Sequence, residues 1–286
     1  MPLTINTNSA AASANYHLSR NQSALQKSLT KLSSGSRIVQ PVDDAGGLAV
    51  SMKLESAIVR LNGAQKNVQN ATSFLEVQDG VLSSAGKILN RMIELKGLSD
   101  DVMKNSSDSA NYNREFQDLQ QQIYDMASLK FNGVSMFATT TTQTGATEAV
   151  FNDTALDNTV SVYVSADGST GATVSVSKSS LLSALTINAS TLAASKFSDG
   201  ATAGNGINSF AAADSSSVIN LSDISVGVFT QAIQNVATLR ADNGASMSRL
   251  RFAGEEMGTQ ETNLIAAKGR ITDVDIAAES TRLAKY

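Results

Sequence analysis

The sequence predicts a mainly α fold: an elongated antiparallel helical bundle or coiled coil from both chain ends, with a small β-hairpin region in the middle. Three observations carry this. Over Asp44 to Lys96 every seventh residue is apolar (Leu54, Leu61, Val68, Leu75, Leu82 and Leu89), and the column three later runs Ala57, Ala64, Ala71, Gln78, Ala85 and Met92. Far along the chain, Phe229, Val236, Asn243, Leu250, Met257, Leu264 and Ile271 fall at the same interval, beside Ala232, Leu239, Ser246, Ala253, Gln260 and Ala267. A seven-residue repeat held this long gives each helix one narrow stripe for a partner helix, with gentle left-handed supercoiling. One stripe alone is the pattern of an ordinary core helix, but two with the same period favour an antiparallel hairpin of rods. Between them, Val160, Val162 and Val164 alternate with Ser161, Tyr163 and Ser165, a Gly-rich turn follows, and Val174 and Val176 alternate again, which reads as a β-hairpin.

Taken in order, residues 5 to 33 carry a thin apolar column, Ala11, Leu18, Leu25 and Leu32, on a background of Asn, Ser, Gln and Thr. Burial of a Leu yields about 1.5–3 kcal/mol, against about 1–2 kcal/mol per residue for ordering the backbone, so this helix cannot stand alone. It is expected to be disordered in a free subunit and helical when packed. Leu32 to Gly47 breaks the helical pattern with Gly35, Pro41 and Gly46–Gly47, and reads as a connecting spoke. Asp43 or Asp44 can cap the helix that follows, where a carboxylate meets unpaired N–H groups and the positive end of the dipole.

The first long helix weakens over Gly97 to Ser109; a second pattern follows on Phe116, Leu119, Ile123 and Met126 and stops at Phe131-Asn132-Gly133, a strong turn signal. Beyond the hairpin, Ser179 to Leu185 suggests a short helix and Ala194 to Ala213 an exposed loop. Helix resumes after Ser222 or Asp223, both plausible caps, and carries the second seam to Lys268-Gly269. Ile271 to Tyr286 then starts another amphipathic helix.

Composition excludes several classes of function. The chain of 286 residues has a net charge of −4, so no global basic field draws nucleic acid. It has no Cys, which excludes disulfides, thiolate catalysis and the usual zinc clusters. His17 is the sole histidine and sits on the weakest helix, so neither a catalytic triad nor a His-rich metal site is expected. No phosphate-binding loop or dinucleotide fingerprint occurs, and no cofactor is expected. No apolar run approaches bilayer-spanning length. Residues 1 to 42 lack Asp and Glu but hold Arg20, Lys27, Lys31 and Arg37. That composition also suits an organellar transit peptide, and it lacks the apolar core of a secretory signal.

The ends of the chain resemble bacterial flagellin. The resemblance rests on Met1-Pro2-Leu3-Thr4-Ile5-Asn6-Thr7-Asn8, Leu32-Ser33-Ser34-Gly35, Asp43-Asp44-Ala45-Gly46-Gly47-Leu48-Ala49 and Phe131-Asn132-Gly133. On the C-terminal side it rests on Arg240-Ala241-Asp242, Gly244-Ala245, Arg249-Leu250 and Arg270-Ile271-Thr272-Asp273-Val274-Asp275. It implies a structural, non-enzymatic subunit that is exported unfolded and polymerises into the extracellular flagellar filament, the propeller for swimming. The alternative within the same machinery is a hook–filament junction protein. The expected domains are 1–43 plus 270–286 as an inner filament core, 44–138 plus 221–269 as a helical rod, and 139–220 as its hairpin and exposed loop. Family members normally continue for a few tens of residues past the position of Tyr286, so the C-terminal half of that core is expected to be largely missing.

The implied partners are other subunits of the homopolymer, an export chaperone, cap and junction proteins and, conditionally, an innate immune receptor; neither nucleic acid nor membrane is expected. The expected self-assembly core is Leu18, Leu25 and Leu32. The expected rod seam is Leu54, Leu61, Val68, Leu75, Leu82, Leu89, Val236, Leu250, Met257 and Leu264. The positions matching the receptor motif are Arg91, Leu95 and Glu115, with Ile93 where a second Arg is common. Asn243 stands at a seam position that the family usually fills with an apolar residue, and Pro41 in the spoke is also unusual.

Overall fold

The computed structural model describes residues 8–138, 159–188, 207–209, 211–212, 215 and 218–286. Its helices are α1 (Ser9–Ser34), α2 (Ala45–Ser99), α3 (Ser106–Ala127), α4 (Leu181–Ala184), α5 (Val226–Thr272) and α6 (Ile276–Lys285). Three two-stranded antiparallel sheets accompany them: β1 (Lys130–Phe131) with β2 (Val134–Ser135), β3 (Thr159–Tyr163) with β4 (Thr173–Ser177), and β5 (Thr186–Asn188) with β6 (Ile207–Ser209). The fold is mainly helical, as the heptads require. Two compact units divide the chain, Met1–Gly63 with Glu256–Tyr286 and Ala64–Glu255, so α2 and α5 each contribute to both.

In the larger unit the seam is dry. Val68, Leu75, Leu82, Ala85, Leu89, Met92 and Leu95 of α2 are buried, as are Phe229, Ala232, Val236, Leu239 and Leu250 of α5. The pairing is antiparallel: Leu75 meets Asn243 and Asp79 meets Arg240, so α2 numbers rise as α5 numbers fall. Phe116 of α3 packs edge-on against Phe229 at 5.8 Å, which joins the third helix to the pair. The α3 N-terminus is closed by a capping box, with Asn105 accepting from the Asp108 N–H and Asp108 accepting from the Asn105 N–H.

The hairpins follow their turn chemistry. Asn132 and Gly133 have φ of 49° and 81°, the left-handed conformation a two-residue hairpin turn needs, and Phe131 stacks edge-on against Phe74 of α2. In the second hairpin Val162 pairs with Val174 and Val160 with Val176, and Val162, Val174 and Val176 bury one face. A Cβ at Gly171 would stand 1.8 Å from the Ser165 hydroxyl, so any larger residue there would force Ser165 to move.

Several boundaries differ from the sequence reading. The glycine pair at 46 and 47 lies inside the first turn of α2 rather than in the spoke, so the connection is only 35–44. Gly269 does not end α5, which continues to Thr272 because the Thr272 hydroxyl donates to the Lys268 carbonyl and Asp273 N–H bonds the Gly269 carbonyl. Ser222 and Asp223 lie in a short 3-10 turn, and α5 starts at Val226. Within the expected loop 194–213, Ile207–Ser209 is a strand, and Ala211 and Ala212 are buried, Ala212 donating to the Gln120 carbonyl. The remainder of that loop, residues 139–158 and residues 1–7 lie outside the described residues.

Candidate functional site

The smaller unit is held by a junction of chain ends. Gly35, with φ of 67°, stops α1 in the left-handed conformation that glycine favours. The following segment then forms an antiparallel bridge with the segment after α5: Ser36 opposes Asp273, Arg37 N–H donates to the Thr272 carbonyl at 2.6 Å, and Val274 N–H donates to the Gly35 carbonyl at 3.0 Å. The Ser36 hydroxyl adds a bond to the Thr272 carbonyl. These bonds satisfy backbone groups that the end of α5 would otherwise leave open.

Arg37 ties two helix ends together. Its Nε and Nη2 donate to the Ile271 carbonyl at 3.0 and 2.8 Å, placing a cation at the negative C-terminal end of α5. The same Nη2 lies 3.3 Å from Asp44 Oδ2, and Asp44 Oδ1 accepts from the Gly47 N–H at 2.8 Å in the first turn of α2. A Cβ on Gly47 would stand 2.4 Å from Asp44 Oδ2 and 2.9 Å from Ile38 Cδ1, so the missing side chain is what lets the carboxylate and Ile38 close on the helix. Asp43, the other half of the pair, takes a different role. It pairs with Lys27 of α1 and accepts from the Val39 and Gln40 N–H groups, and its side chain is 6% exposed. The Lys27 hydrogen bond, helped by those two N–H groups, holds its carboxyl at about 2, below the ordinary 3.8.

At the two ends, α6 packs on α1. Asp275 caps α6 by accepting from the Ala278 N–H, and Glu279 is buried where the Ser28 hydroxyl donates to it at 2.7 Å and Arg282 donates to its other oxygen. Among the described residues, the first half of α1 has no such cover. Tyr16 and Leu18 are 65% and 66% exposed, whereas Leu25 and Leu32 are half-buried. Of the other residues singled out from sequence, Leu61, Val68, Leu75, Leu82, Leu89, Val236, Leu250 and Met257 are buried, and Leu54 and Leu264 are half-buried. Glu55 and Lys268 form an ion pair in this unit.

Arg91 and Glu115 come together: Nε to Oε1 at 2.8 Å and Nη2 to Oε2 at 3.1 Å, a bidentate pair between α2 and α3, with Glu94 bonded to the third guanidinium nitrogen. The Glu115 hydrogen bond, then that of Glu94, drives the guanidinium still further toward its protonated form. Leu95 does not share that surface; it is fully buried. Ile93 is half-buried.

Sequence reasoning placed Gln78 and Asn243 on the seam but did not find the partners of these and other carboxamides. Gln78 donates to the Met136 carbonyl, Asn243 to the Leu75 carbonyl, and Asn235 to the Ala184 carbonyl. Gln120 both donates to the Ile219 carbonyl and accepts from its N–H, and the half-buried Asn113 accepts from the Leu221 N–H. Each fastens a helix to the backbone of another element. The one signal available was a polar residue at a seam position, present at Gln78 and Asn243 and absent at the others. His17 is exposed beside Tyr16, and among the described residues no three His, Asp or Glu stand together as a metal site would require.

Comparison with known proteins finds relatives for both ends of the chain. Residues 5–142 match the family described as bacterial flagellin N-terminal helical region, and residues 226–286 match the bacterial flagellin C-terminal helical region. The chain is 31% identical to flagellin of Bacillus subtilis over 292 residues, covering 99% of this chain and 91% of that protein. It is 30% identical over 278 residues to the flagellar filament 30.7 kDa core protein of Treponema maltophilum, covering 97% and 88%. Among solved structures, a crystal structure of Bacillus cereus flagellin matches 71% of this chain and 94% of its own with a TM-score of 0.44 and 22% identity.

Proposed function

The chain belongs to the bacterial flagellin family, and from that premise we propose how it performs the family's work as the subunit of the flagellar filament. It is a structural protein, and membership implies self-assembly into that filament. The two terminal segments, residues 1–43 and 270–286, act together as the assembling part, while the α2–α5 pair supplies a stiff body. The junction of Gly35 to Ile38 with Ile271 to Val274 supports this reading most directly. It fastens the two extremities of the chain to each other, so that one copy presents both to its neighbours as a unit.

Leu18 leaves apolar surface on α1 that a neighbouring copy would cover, with Tyr16 exposed on the opposite face of the helix, whereas Leu25 and Leu32 already receive part of their cover within the chain. Contact between different surfaces of successive copies gives an open helical polymer. An export chaperone and the cap and junction proteins are the further partners this assignment calls for. An innate immune receptor approaching the outer face would meet Arg91 and Glu115 already joined to each other, with Leu95 acting from below as packing.

Seeded elongation tests the reading. Purified subunit added to short fibre seeds should extend them, followed by turbidity and electron microscopy, and chains lacking residues 1–34 or 276–286 should not. Elongation at an unchanged rate by either truncated chain would remove the terminal segments from the mechanism.

A further inference from the structure

Three Asn–Gly dipeptides lie among the described residues, and the fold treats them differently. Asn62–Gly63 is inside α2, and Asn243–Gly244 is inside α5 with Asn243 3% exposed and its amide nitrogen bonded to the Leu75 carbonyl. Asn132–Gly133 forms the exposed tip of the β1–β2 hairpin, with both residues at positive φ and open space around Gly133. We propose that Asn132 is a site of spontaneous deamidation, a modification to which the fold exposes it and from which it protects the other two.

The chemistry needs only water. The Gly133 backbone nitrogen attacks Asn132 Cγ, the Cγ–Nδ2 bond breaks, and ammonia leaves carrying the proton lost by the attacking nitrogen, which closes a five-membered succinimide. Water then opens one of the two imide C–N bonds: cleavage at Cγ leaves aspartate, and cleavage at the backbone carbonyl leaves isoaspartate. Glycine as the second residue has no side chain to hinder the attack. A helical amide nitrogen is held by its i−4 hydrogen bond and a rigid backbone, so it cannot rotate toward Cγ. The hairpin strands are two residues each, and so short a ladder opens by local fraying and lets the turn leave its left-handed geometry. Isoaspartate would lengthen the backbone of a two-residue turn, and its position beside Phe131 would disturb the packing of that ring on Phe74.

The full chain, held as folded subunit at pH 8.5 and 37 °C and then mapped by tandem mass spectrometry, tests this. A gain of one mass unit at Asn132, split between aspartate and isoaspartate, is expected severalfold faster than at Asn62 or Asn243. The same chain in urea should convert all three at similar rates, which separates protection by the fold from local sequence. Equal rates at the three sites in the folded chain would overturn the proposal, as would an intact Asn132 amide after the urea sample has converted.

Discussion

At the residue scale, two adjacent glycines in the first turn of α2 differ sharply from each other. A Cβ on Gly46 meets nothing closer than 3.7 Å, while one on Gly47 collides with Asp44 and Ile38. Gly46→Ala should therefore be neutral or raise stability by about 0.5–1 kcal/mol through reduced backbone entropy in the unfolded chain. Gly47→Ala should lower it by about 1–3 kcal/mol, because the capping carboxylate has to move. Urea melts of the two variants side by side check this, and equal midpoints would refute it. Asp43 offers a pH test. Its carboxyl is held at about 2 in the fold and is ordinarily 3.8, so the ionised form is favoured by folding. The contribution is present above the ordinary value and is lost as pH falls through about 2. Asp43→Asn should thus melt below the parent protein at pH 6, and the two curves should converge as the solution is taken from 3.8 toward 2. Calorimetry across that window would show the convergence or its absence.

At the element scale, the seam was legible because a repeat of seven records which face of a long helix is covered, whatever covers it. What could not be read was how the polar interruptions are used. Gln78 and Asn243 are both buried, and Gln78 Oε1 and Asn243 Oδ1 accept no bond among the described residues. Their amide nitrogens differ in what they serve. Asn243 bonds the carbonyl of Leu75, a residue in the middle of α2, whereas Gln78 bonds the carbonyl of Met136, which lies just after the short β1–β2 hairpin. Asn243→Leu removes a buried oxygen and leaves a helical carbonyl in its own ladder, so stability should hold or rise by up to about 1 kcal/mol. Gln78→Leu leaves the Met136 carbonyl buried without that donor and should cost about 1–3 kcal/mol. Thermal melts of both variants would decide, and an equal loss in each would defeat the distinction. The helix ends escaped sequence reasoning for a similar reason: Gly269 looks like a stop, but Thr272 and Asp273 extend the hydrogen bonding past it.

For the whole molecule, assembly and subunit stability should separate by position. Leu61 is buried in the α2–α5 seam, so Leu61→Ala should destabilise the subunit by about 2–5 kcal/mol. Leu18 is 66% exposed, so Leu18→Ser should leave the subunit melt unchanged and raise the concentration needed for fibre growth. Sedimentation of fibres from serial dilutions, set beside a melt of the unassembled chain, would read both effects; a Leu18 variant that polymerises like the parent would exclude that face from the contact. By itself the amino-acid sequence determined the long helices, their antiparallel partnership, the β3–β4 hairpin and the turn at Asn132–Gly133, because period and turn chemistry are local properties carried by neighbouring residues, and its motifs pointed to the family. Only the tertiary structure decided that Arg37 spans two helix ends, that Asp43 and Asp44 divide their work, that Leu95 faces inward and that glutamine and asparagine side chains pin backbone carbonyls. Each of those depends on which distant segment arrives opposite a given side chain, and spacing along one chain does not record that.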